Sequence, residues 1–92
     1  MARTQTQAQT TAYGANIVLE DSTTQFEVGF LDSGALVAGT VKVTAQGSSA
    51  AVEWPVAAGG TYYSPLPRGV GSRVTLNLKA ASGTPTGQVQ EL

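Results

Sequence analysis

The chain has 92 residues, five basic and six acidic side chains for a net charge of −1 at pH 7, and neither cysteine nor histidine. That length gives one small domain with a thin margin of stability, and the missing residue types exclude disulfide staples, thiolate metal sites, imidazole ligands and the commonest general base. Charged residues make up 12% of the chain with the two signs nearly balanced, so no large single-sign field is available and neither nucleic acid nor a membrane surface is an expected partner.

Residues 1–14 carry one arginine, Arg3, followed by Thr, Gln and Ala with no apolar run. Such a stretch lacks the apolar h-region of a secretory leader. No segment of the chain approaches the roughly 20 apolar residues of a membrane helix, so the expected product is made in the cytoplasm. A polar, aperiodic stretch cannot bury apolar surface by itself, which predicts an extended N-terminal arm over 1–14 ahead of a domain over 15–92. Arg3, Thr4, Gln5, Thr6, Gln7 and Tyr13 are then candidate contacts to a neighbouring subunit.

From Ala15 onward apolar and polar residues alternate with period two, the signature of strands with one wet face. The clear runs are Phe26, Val28 and Phe30; Val41, Val43 and Ala45; Val52, Trp54 and Val56; and Val74, Leu76 and Leu78. Shorter candidates are Ile17 to Glu20, Tyr62 to Leu66 and Gln88 to Leu92. Between them stand turn formers: Asp32-Ser33-Gly34, Gln46-Gly47-Ser48, Gly59-Gly60, Pro67-Arg68-Gly69 and Ser82-Gly83-Thr84-Pro85. No window supports a helix. The expectation is an all-β fold, a small antiparallel β-sandwich or barrel of about six to seven short strands, with Trp54 in the core among Val43, Val52 and the other apolar-phase residues. Pro55 cannot donate to a ladder, so its strand should lie at an edge or break there.

Phe30-Leu31-Asp32-Ser33-Gly34-Ala35 resembles the apolar-apolar-Asp-Ser/Thr-Gly-Ala signature of retroviral-type aspartic proteases, which are all-β homodimers that pair one Asp from each subunit. The resemblance implies Asp32 as the catalytic carboxylate, sharing a proton across a two-fold axis. The family's later apolar-apolar-Gly motif is not matched, since Val70-Gly71-Ser72-Arg73 runs into a strand pattern. Asp-Ser-Gly is also ordinary hairpin chemistry, and that reading is preferred. The run from Arg68 to Arg73 lacks the following helix of a phosphate cradle and is read as an exposed loop. Glu20, Asp21 and Asp32 lack the alternating spacing of a calcium loop.

Tyr62 and Tyr63 are adjacent and therefore point to opposite faces of a strand, which leaves one of them outward as an interface anchor or a stacking platform for sugar rings. No serine or threonine nucleophile has a histidine base, so no enzyme, cofactor or metal is expected. A cysteine-free, weakly charged chain rich in Thr, Ala, Gly and Val, with short strands and a polar arm, resembles the small accessory proteins of tailed-bacteriophage virions. The resemblance implies a capsid decoration, cement or neck and tail component found in the virion. It would bind capsid or tail subunits, and a homo-oligomer is expected, through the arm, Tyr62, Tyr63 and Arg68. A carbohydrate-binding or adhesin-like module is the alternative.

Overall fold

Alternation that buries one face of every strand requires a second layer to cover that face, and here the second layer is another sheet. The computed structural model describes residues 3–19, 23–45, 51–65 and 74–92. Within them are nine strands and no helix: β1 Arg3–Ala8, β2 Ile17–Val18, β3 Gln25–Asp32, β4 Ala35–Leu36, β5 Gly39–Ala45, β6 Val52–Val56, β7 Tyr62–Pro65, β8 Val74–Ala80 and β9 Thr86–Glu91. The first sheet runs β1-β9-β3, and the remaining edge of β3 is shared by β7 over 25–28 and β4 over 31–32. The second runs β2-β8-β5-β6. All pairings are antiparallel, as expected for short strands joined by tight turns.

The core lies between the sheets. Phe26, Val28, Phe30 and Val89 from the first meet Ile17, Val41, Val56, Val74, Leu76 and Leu78 from the second, with Leu19 beside them. Of the residues expected in the core, Phe26, Val28, Phe30, Val41, Val74, Leu76 and Leu78 are buried, Val43 packs against it only in part, and Val52 and Trp54 are exposed. Pro55 sits in β6, an edge strand as its missing N–H demands. At the β3–β4 hairpin Ser33 and Gly34 have φ of 53° and 84°, and Asp32 pairs with Ala35. Two positive φ values in a two-residue loop make a type I′ turn, whose twist matches the flanking strands. The turns expected at 46–48 and 67–69 lie outside the described residues.

Residues 3–14, read from the sequence as an arm, are built into the sandwich. β1 pairs with β9 from Arg3 opposite Glu91 to Ala8 opposite Thr86. The chain then crosses to the second sheet: Gln9 N donates to Pro85 O, Ala80 N to Thr10 O, and Gly14 N to Leu78 O, at 2.9, 2.8 and 3.0 Å. β2 and the Leu19 N–H continue along β8. One polar segment therefore closes the β9 edge of one sheet and the β8 edge of the other. The physical reason is that an edge strand is held through backbone N–H and C=O groups, which need no apolar periodicity.

Candidate interaction surface

Val52, Trp54 and Val56 share one face of β6 at period two, yet only Val56 is buried, while Trp54 is 45% and Val52 51% exposed. An edge strand has a neighbour on one side only, so its inward side chains are covered only where the opposite sheet reaches across. Here the cover comes from Tyr62 of β7. Its ring stacks on Trp54 at 5.9 Å between centroids with an interplanar angle of 18°, and tilts against buried Phe26 at 5.9 Å and 50°. An aromatic column thus runs from the core to the surface between β6 and β7. Tyr63, on the opposite face of β7, is 50% exposed and its hydroxyl donates to Gln25 Oε1.

Among the described residues β6 and β7 each pair on one side only. Pro55 lies within β6 and Pro65 ends β7, so both open edges lack an N–H where an incoming strand would seek one. Recognition along this seam falls to side chains. Tryptophan and tyrosine are the residue types that dominate interface energetics, because they offer large rigid area at small cost in rotamer freedom.

Tyr13 is placed differently. It lies half-buried on the outer face of the second sheet, with Lys42 Nζ and Lys79 Nζ over its ring at 4.4 and 4.6 Å from the centroid. Its hydroxyl donates to Glu53 Oε1. Partial loss of water, then the hydrogen bond to Glu53 and that carboxylate's charge, push the phenol up to about 12. Nearby Asn77 Nδ2 donates to Gly14 O at 3.1 Å and to Asn16 Oδ1 at 2.8 Å, which explains how an outward-facing asparagine comes to be buried. Segment 13–16 is thereby pinned across the sheet, and Tyr13 is engaged within its own chain.

The other residues singled out in the sequence divide in the same way. Thr4 and Thr6 are exposed on the outer face of the first sheet. Gln5 and Gln7 face inward: Gln5 Nε2 donates to Glu91 Oε2 at 3.0 Å and Gln7 Nε2 to Ala15 O at 3.1 Å. Arg3 stands opposite Glu91 in the ladder. Asp32 is exposed at the tip of the β3–β4 hairpin, where Ser33 Oγ approaches its Oδ1 at 3.4 Å. Arg68, the 68–73 loop, Glu20 and Asp21 lie outside the described residues. Two features escaped sequence reasoning: Glu91, fully buried and held also by Thr23 Oγ1 at 2.9 Å, and Gln9, buried where the chain changes sheets. Neither interrupts a recognisable pattern, so no signal in the sequence marks them.

No protein-family model matches the chain, and no curated protein or solved structure matches it.

Proposed function

We propose that this protein is a non-catalytic accessory subunit of a larger protein assembly, of the kind found in tailed-bacteriophage virions, and that it attaches to a protein neighbour through the aromatic seam between β6 and β7. The observation that carries the reading is the Trp54–Tyr62 stack, rooted on Phe26 in the core and open to solvent at Trp54 and Val52. A rigid, partly wet aromatic pair anchored from below is already organised for binding, and covering it removes apolar area from water without ordering a flexible loop. The virion assignment rests on the resemblance in composition and strand style, and weak charge suits a surface buried between packed subunits.

Trp54 is the only tryptophan, so its emission reports on the seam directly. The test is mass-spectrometric detection of the chain in virions recovered from cells that carry its gene, followed by rebinding of purified protein to virions stripped of it. Rebinding should shift Trp54 emission to the blue, and Trp54→Ala should weaken it by at least about tenfold, the effect of losing roughly 1.4 kcal/mol at an interface anchor. Absence of the chain from virions, or undiminished rebinding by a folded Trp54→Ala variant, would refute the proposal.

A further inference from the structure

Among the described residues, β1 is held unlike any other long strand. It runs in register with β9 over six residue pairs, yet contributes no side chain to the apolar core. Its described inward side chains are Gln5 and Gln7, and Gln9 at its end is buried with Oε1 lacking a hydrogen-bond partner while Nε2 donates to Gln7 O and Gln7 Oε1. The ladder bonds are set against the entropy of ordering the segment, with no apolar burial to tip the balance, which puts β1 among the regions that open first.

The chain beyond β1 is fastened separately. Gly14 N bonds Leu78 O, Tyr13 is gripped by Lys42, Lys79 and Glu53, and β2 pairs with β8. Thr10 O accepts from Ala80 N next to β9, a bond that travels with β1, and Thr11 and Ala12, between it and Tyr13, are exposed, with a bend at 11–12 and without positive φ. A segment joining a weakly held strand to a firmly held one is a hinge in the sense that domain exchange requires.

We infer that β1 is an exchangeable strand, and that in the assembled protein residues 3–9 of one copy pair with β9 of a second copy. The partner is another copy of this chain because the β9 edge is already matched to it. The register from Arg3 opposite Glu91 to Ala8 opposite Thr86, and the Gln5 hydrogen bond to Glu91, re-form unchanged in trans. Every β1 contact is kept in the exchange, so only the hinge and the cost of association distinguish the two forms. The exchange needs neither Trp54 nor the aromatic seam.

The absence of cysteine makes the test clean. Thr4 and Gln90 stand opposite each other in the ladder and both are exposed, so Thr4→Cys and Gln90→Cys are made as two single variants, mixed, concentrated and oxidised. If β1 of one chain lies on β9 of another, the mixed disulfide forms well beyond the statistical share, relative to the two homodisulfides, that random collision of exposed thiols gives. The expected result is a disulfide-linked heterodimer that increases with concentration, accompanied by dimers in analytical ultracentrifugation of the unmodified protein. Inserting Gly-Ser between Thr11 and Ala12 relaxes the hinge and should reduce the cross-link severalfold. Thr6→Cys with Gln88→Cys gives the same readout should the first pair fail to fold. A monomer at all concentrations, or a dimer whose mixed variants do not cross-link, overturns the inference. A Trp54→Ala variant that still cross-links but no longer rebinds virions separates this exchange from the attachment proposed above.

Discussion

Gly39 packs directly against the ring of Phe30, and that constraint can be tested by adding one methyl group. A Cβ built there would lie 2.5 to 2.6 Å from three atoms of the Phe30 ring, whereas carbon atoms in contact sit about 3.5–4.0 Å apart. The ring would have to withdraw by roughly 1 Å, and Phe30 is fully buried. Overpacking of this kind costs about 1–3 kcal/mol. Gly39 does not have positive φ, so alanine meets no backbone objection, and its stiffer unfolded chain returns roughly 0.4–1 kcal/mol. The net expectation for Gly39→Ala is a loss of about 1–2 kcal/mol, from a total of roughly 5–13 kcal/mol for a chain this long. With a urea slope of about 1 kcal/mol/M the midpoint should fall by roughly 1–2 M, measured by circular dichroism. If the clash is the cause, Phe30→Leu should cost at least about 1 kcal/mol less in the Gly39→Ala background than in the parent. An unchanged or raised midpoint, or strictly additive effects of the two substitutions, would refute the reasoning.

Three further outcomes are expected. Trp54→Ala should destabilise the free protein by about 1–2 kcal/mol, well short of the roughly 3–5 kcal/mol of a fully buried tryptophan, because nearly half of the side chain is in water; chemical denaturation checks this. The Tyr13 phenol is raised from 10.0 to about 12 in the folded protein, so its contribution to stability is whole below pH 10 and is lost as pH climbs toward 12; Tyr13→Phe should remove that part of the alkaline loss and the late phase of an ultraviolet phenolate titration. Removing residues 1–9 strips the β9 ladder and the Gln5 donor to Glu91 while leaving every core residue in place; the truncated chain should stay folded by circular dichroism, with its stability lower by roughly 1–3 kcal/mol.

The all-β class and the seven strand positions were legible in the sequence because period-two alternation is a local property: a residue's face follows from its neighbours two places away. Turn chemistry at Asp32-Ser33-Gly34 and the edge position of Pro55 were legible for the same reason, since left-handed φ and a missing N–H are properties of the residues themselves. What the sequence could not decide was coverage. Trp54 has the same phase in β6 as buried Val56, but whether an inward side chain is buried depends on how far the opposing sheet extends, and Trp54, stacked on Tyr62 of β7, stays nearly half exposed. The same holds for the N-terminal segment, whose lack of apolar periodicity correctly marks it as contributing nothing to the core. Its place was decided by tertiary structure alone, because the unpaired backbone edges of β9 and β8 accept any extended segment whose N–H and C=O groups meet theirs.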